Sequence, residues 1–301
     1  MGKGIVAVNV PLAVLWREPG AKRDHDRLIL GAEPAPAAWA DGMDEEMRLW
    51  LVGKVDSQLL YGEKLLVLEQ AGDWLKVAAC EQATSQDDRG YPGWLPAAQV
   101  CDCPRYLAER TSLPAAVVTA SFGRLYAGKA GGKEFALSWQ TRLPLLADHG
   151  NRLMVRRPDG SVGWLDGGEA VAAASGGFDG EAMAATARRF FGLRYLWGGT
   201  SAWGFDCSGL TFRLYQAQGI AIPRDADEQA AAGQAAAKEE LLPGDLLFFA
   251  GKGGVGDIHH VGVYSGDGRM IHAPNSRSAV REEPFAAGVY GEEFWGVRRY
   301  R

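Results

Sequence analysis

The chain is short of cysteine, of long apolar runs and of blocks of like charge. Four cysteines in 301 residues, Cys80, Cys101, Cys103 and Cys207, are too few to form the disulfide framework that staples small secreted domains, and they fit a reducing compartment. Cys101 and Cys103 make a C-x-C, yet no second cysteine or histidine pair stands at zinc-site spacing, so these two and Cys80 read as structural thiols. No segment reaches the roughly 18 uninterrupted apolar residues of a membrane span. The start, MGKGIVAVNVPLAVLWREPG, has one lysine ahead of an apolar stretch that Asn9 and Pro11 interrupt. No small-residue cleavage site follows it, and it reads as strand rather than export signal, so a soluble, cytoplasmic protein is expected. Lys and Arg number 32 against 37 Asp and Glu, for a net charge of −5, with the signs interspersed. Neither nucleic acid nor an anionic membrane is an expected partner.

What is present is enough apolar content, 47%, and enough length for two or three packed domains. The first half contains an internal echo. GDWLKV at 72–77 precedes GYPGWLPAAQV at 90–100, and GNRLMV at 150–155 precedes GSVGWLDGGEA at 160–170. Each copy reads as short alternating strands between Gly, Pro, Asn and Asp turns, the pattern of a small β-barrel. The first copy has the longer internal loop, filled by the polar run EQATSQDDR, a place where recognition tends to be added. From residue 174 a Gly-rich linker leads into a helix with Met183, Ala187 and Phe190 at helical spacing. The helix CSGLTFRLYQAQG and the strands LLFFA, HVGVYSG and RMIHAP come next, so helices precede an antiparallel sheet and the third domain is expected to be α+β.

That domain holds a chemically suggestive set. In GFDCSGL at 204–210, Asp206 is placed to cap the helix that Cys207 opens. There the unpaired N–H groups and the positive end of the helix favour a thiolate, although a buried structural cysteine is the ordinary fate of a lone thiol. Downstream, His260 and His272 flank a Gly-Asp turn centred near residue 266, which places them nearly opposite one another across a hairpin. This is the layout of a nucleophile, a base and an orienting residue. His259 falls on the other strand face; His25 and His149 are expected in solvent. A zinc site from Cys207, His260 and His272 lacks a Glu spaced as general base.

The blocks YLWGG at 195–199, GFDCSGL at 204–210, IPRDADEQ at 222–229, LLPGDLLFF at 241–249 and HVGVYSGDGRMIHA at 260–273 resemble the NlpC-type cell-wall cysteine peptidases, distant relatives of papain. The two barrel units resemble bacterial SH3-like domains, and the arrangement is similar to that of γ-D-glutamyl-L-diamino acid endopeptidases. The resemblance implies a multidomain chain: a first SH3-like domain with an N-terminal extension at 1–105, a second at 106–173, and an α+β papain-like catalytic domain at 174–301. It implies Cys207 as nucleophile, His260 as base, His272 as third residue and Tyr195 beside the thiol. Asp206, Ser208, Arg224 and Asp225 would line the substrate groove, while Asp56 and Tyr91 stand where an acid and an aromatic wall capture a substrate amine. On the residues alone, Asp56 is equally a turn residue and Tyr91 a barrel-edge aromatic. The implied substrate is a murein stem peptide with a free N-terminal L-Ala, cut between D-Glu and the diamino acid during peptide recycling, with no cofactor. A remodelling enzyme acting on intact wall, a thiol amidase or acyltransferase, and a binding module are the competing readings.

Overall fold

The computed structural model describes residues 4–20, 22–174 and 176–301. Residues 1–3 of the apolar start and Ser175 of the Gly-rich linker lie outside them. The described residues form two compact units. The first comprises residues up to Glu81, Gln86–Ala174 and Ser201–Trp203; the second comprises Gln82–Ser85, the residues from 176 to Thr200, and Gly204–Arg301.

The first unit contains two seven-stranded antiparallel sheets. In one the strands run in the order Val55–Leu60, Leu12–Trp16, Tyr91–Pro96, Trp74–Ala79, Lys64–Ala71, Ile5–Val8 and Val100–Cys101. In the other the order is Gly131–Ser138, Phe122–Gly128, Val162–Asp166, Arg152–Arg156, Arg142–Asp148, Ala115–Val118 and Ala170–Ala172. The echoed segments occupy corresponding places: Trp74 to Ala79 pairs with Pro96 to Tyr91, and Arg152 to Arg156 pairs with Asp166 to Val162. Alternation buries one side of each strand, so Leu75, Val77 and Leu95 enter one core and Leu153, Val155 and Leu165 the other.

The N-terminal segments Ile5–Val8 and Leu12–Trp16 are themselves strands of the first sheet. Between Trp16 and Val55 the chain forms a 3-10 turn, Asp24–Asp26, and three short helices, Arg27–Leu30, Pro36–Asp41 and Glu45–Trp50. Pro36 opens one helix, and the Asp44 side chain caps another by accepting from Met47 N. Asp26 is fully buried and holds the insertion together through Arg23 at 2.9 Å and Trp39 Nε1 at 3.0 Å. His25 is not solvated as expected, since its Nε2 lies 2.8 Å from Trp39 O in the same insertion. His149 is exposed against the Trp164 ring.

The second unit places the helices Gly180–Arg188, Cys207–Ala217 and Ala226–Ala232 with a six-stranded antiparallel sheet. Its order is Gln234–Ala236, Phe294–Arg299, Leu246–Gly251, Val255–Gly266, Arg269–His272 and Arg281–Pro284. The α+β expectation holds, with the alanine-rich residues 226–236 forming the helix Ala226–Ala232 and the edge strand Gln234–Ala236. In the helix after Cys207, every residue from Cys207 to Tyr215 is buried. Arg213 is among them, and it is satisfied by Thr200 O at 3.0 Å and Gln216 Oε1 at 2.8 Å. Gly219, with φ of 76°, ends that helical segment.

Candidate active site

The site is built on the first turn of the helix Cys207–Ala217. Asp206 is its N-cap, and the carboxylate accepts from Gly209 N at 2.6 Å. A Cβ on Gly209 would stand 2.0 Å from Gly199 O, so only glycine lets the GFDCSGL turn close against the YLWGG segment. Arg224, fully buried, clamps Asp206 through Nη2 to Oδ2 at 2.6 Å and donates to Ser208 Oγ at 2.9 Å. Gln229 donates to Ser208 O and accepts from Thr211 Oγ1. Three of the residues expected along the substrate groove, Asp206, Ser208 and Arg224, thus form a buried network beneath the nucleophile helix. Asp225 lies 3.8 Å from Arg224 Nη1 and keeps about a third of its side chain in solvent.

The histidines come from the sheet. His260 Nε2 lies 2.7 Å from His272 Nδ1. The two residues are not opposite one another, because the hairpin reverses about residue 267 rather than 266, pairing Val263 with Ile271 and Tyr264 with Met270. His272 instead stands across from Gly262, whose missing side chain leaves its ring room to lean along the strand toward His260. The rings of Phe249 and Tyr290 enclose His260 at 5.8 Å and 5.5 Å, and Tyr290 also packs on His272 at 5.0 Å. His259 is exposed beside Glu293, apart from this cluster.

The thiol meets the same strand: the backbone N–H groups of Val261 and Ser208 are directed at the Cys207 sulfur. The residue after His260 thus supplies a backbone contact to the thiol. Tyr195, buried, has its hydroxyl in the field of the Cys207 sulfur and the Asp206 carboxylate; burial first, and those charges second, push it well above the ordinary phenol range.

The protonation state differs from the expectation that the helix terminus alone would favour a thiolate. Burial pushes the Cys207 thiol up to about 12, Asp206 adds to this, and the Val261 and Ser208 N–H groups and Arg224 only partly oppose it. Burial likewise holds His260 well below the imidazole range, with the neighbouring His272 contributing. Burial and the Arg281 charge bring His272 down to about 3. Burial thus favours the neutral form of each group, the thiol of Cys207 and the imidazole of His260.

Sequence reading missed two members of the cluster. Glu283 Oε1 lies 2.7 Å from His272 Nε2 and also accepts from Arg281 Nε at 2.9 Å. Tyr290 covers both imidazoles. The only signal for Glu283 was the alternation of REEP, which puts Arg281 and Glu283 on one face of a strand.

Asp56 and Tyr91 belong to the first unit. Asp56 is paired with Arg17 Nε at 2.7 Å and lines an open recess with Glu18, Lys76, Gln86 and Trp94. Tyr91 is buried in the barrel core rather than at its edge, with its hydroxyl 3.4 Å from Gln86 Nε2. The polar loop of the first barrel contributes Thr84 and Ser85, whose hydroxyls both donate to Glu228 Oε1 within the second unit.

A cysteine at a helix N-terminus, facing a two-imidazole chain on an antiparallel sheet of an α+β unit, defines a papain-like cysteine hydrolase. The profile of the NlpC/P60 family matches residues 192–299, in which Cys207 is the sole cysteine. Residues 53–100 match the bacterial dipeptidyl-peptidase Sh3 domain and residues 118–171 the YKFC SH3b2 domain. The chain is 37% identical to a gamma-D-glutamyl-L-lysine dipeptidyl-peptidase of Bacillus cereus, over 97% of this chain and 90% of that protein. It is 35% identical to the Bacillus subtilis protein of the same name, over 96% of each. A crystal structure of an NlpC/P60 family protein from Bacillus cereus superposes with a TM-score of 0.94 at 35% identity, covering 99% of both chains. The chain belongs to the NlpC/P60 family: it is a cysteine-type peptidase preceded by two SH3b-type domains.

Proposed function

We propose that the protein hydrolyses the bond between γ-D-Glu and an L-diamino acid in peptidoglycan-derived peptides that carry a free N-terminal L-Ala. The observation that supports this reading is the imidazole pair His260–His272, 2.7 Å apart, beside the Val261 N–H that is directed at the Cys207 sulfur, in a chain similar over nearly its whole length to enzymes named for that bond. In the proposed reaction, Cys207 loses its proton to His260 as sulfur adds to the γ-carbonyl carbon. The backbone N–H of Cys207 and the Tyr195 hydroxyl receive the oxyanion, His260 returns the proton to the leaving amine, and a thioester remains. Water, deprotonated by His260, then attacks the thioester; the acid departs and the thiol is restored.

Asp56 is the proposed acid for the substrate ammonium, since a desolvated ammonium needs an anionic partner. It already accepts from Arg17, so the two cations share one carboxylate. In an intact wall the L-Ala nitrogen is tied up as an amide, so a requirement for the free amine favours recycling of released peptides, in the cytoplasm, over wall remodelling. The test is hydrolysis of L-Ala-γ-D-Glu-diaminopimelate and of its L-lysine counterpart, each with and without N-acetylation of the alanine. Rapid cleavage of the free-amine peptides alone is expected. Equal cleavage of the acetylated forms removes the amine requirement, and cleavage of none removes the substrate class. Asp56→Ala is expected to raise KM for the free-amine peptides.

A further inference from the structure

The site contains a carboxylate that the proposed chemistry does not yet use. We propose that Glu283 is a positioning residue: through His272, it fixes His260 in the tautomer whose Nδ1 lone pair faces the task of accepting the Cys207 proton.

Two neutral imidazoles joined by a single Nε2···Nδ1 contact can be wired in either direction. In one, His260 donates from Nε2 and its Nδ1 is a base. In the other, His272 donates from Nδ1, His260 carries its proton on Nδ1, and no base is available to the thiol. The contact of 2.7 Å between the rings does not select between them.

Glu283 does. An ionised carboxylate only accepts, so the atom 2.7 Å from its Oε1, His272 Nε2, must carry the proton. A neutral His272 protonated at Nε2 has its lone pair on Nδ1, so His260 donates from Nε2 and its own lone pair lies on Nδ1. The carboxylate is in turn held by Arg281, whose Nε and Nη2 both lie 2.9 Å from the same Oε1. The register supplies this geometry, since Arg281 pairs with His272 and Glu283 with Met270, putting Glu283 diagonal to the imidazole on the same face. His272 is fully enclosed, whereas Glu283 keeps about a quarter of its side chain exposed. The anion thus stays hydrated while it polarises a dry ring. When His260 becomes imidazolium, the same chain presents it with the negative charge of Glu283 through one neutral ring.

The inference rests on the assignment of Cys207 and His260 as nucleophile and base, and it is tested by a measurement that needs no turnover. Protein labelled with 15N histidine is compared near neutral pH as wild type, Glu283→Ala and Glu283→Gln, with kcat and KM measured in parallel. In the wild type the His260 ring nitrogens should report a single Nε2–H tautomer. In Glu283→Ala they should move toward a mixture, and kcat should fall roughly 10- to 100-fold, part of the 10²–10⁴ that a well-placed general base contributes, with KM unchanged. Glu283→Gln keeps an acceptor oxygen under Arg281 and should recover the wild-type tautomer and most of kcat. An unaltered His260 tautomer in the alanine variant overturns the proposal, as does a glutamine variant no better than alanine. Should the wild type fail to cleave the proposed peptides, the substrate reading falls, while the tautomer measurement still decides the role of Glu283.

Discussion

His272 Cβ lies 3.3 Å from the point where a Cβ on Gly262 would stand, and the imidazole pair depends on that vacancy. A methyl at 262 would also stand 2.9 Å from Met270 Sδ and 3.4 Å from Ile271 O. The thioether can swing aside; the strand carrying His272 cannot.

Gly262→Ala should therefore push His272 away from His260. Overpacking costs about 1–3 kcal/mol, and kcat should fall with little change in KM. Thermal unfolding and steady-state kinetics on the same preparation check this; a variant with wild-type kcat shows that the strand absorbs the methyl group.

Cys207→Ala should abolish hydrolysis and leave the fold nearly intact, because the side chain it removes is small and its anchoring contacts are made by backbone groups. Persistent turnover in this variant would remove the nucleophile assignment.

Asp206→Ala should be among the most destabilising single substitutions. It deletes the N-cap acceptor of Gly209 N and the nearer of the two carboxylates at buried Arg224, leaving Asp225 at 3.8 Å. Stranding one member of a buried pair costs about 3–5 kcal/mol. Urea unfolding monitored by tryptophan fluorescence reads the loss, and a midpoint within error of wild type contradicts the clamp.

Acid should weaken the protein through its buried imidazoles before its carboxylates titrate. Both His260 and His272 titrate lower in the folded chain than in the unfolded one, His272 at about 3 against 6.5. As pH falls below the unfolded value the unfolded chain takes up the proton first. The stabilisation is thus complete above about 6.5 and is lost as pH drops toward about 3, at about 1.4 kcal/mol per pH unit for each histidine. Urea midpoints between about pH 7 and 5 should fall more steeply in the wild type than in His272→Gln, where one of the two groups is gone. Parallel slopes contradict the assignment.

The sequence made the pairing of His260 and His272 legible because a tight Gly-Asp turn and period-two alternation are local signals. The barrels were legible for a related reason, since the echo of GDWLKV in GNRLMV repeats one pair of neighbouring strands. The diagonal placement of the histidines was not, because the strands reverse about residue 267 rather than 266, an offset that the composition of the turn does not announce. Glu283 was missed because its contact is made from a short strand with no hydrophobic pattern. The burial that pushes the Cys207 thiol up was not legible, because a helix terminus is visible in sequence and burial is not. The helical insertion between Trp16 and Val55 went unread although Pro36 and Asp44 mark helix starts there.

The two compact units do not follow one another cleanly along the chain. Gln82–Ser85 sits with the peptidase unit, and Ser201–Trp203, from the heart of the peptidase sequence, sits with the barrels. A gene fragment beginning at the linker would encode a peptidase unit missing the hydroxyls that Glu228 accepts and the Ala83 carbonyl that receives Arg224 N. Joining the catalytic portion to a foreign partner by simple end-to-end fusion at that linker would forfeit those bonds.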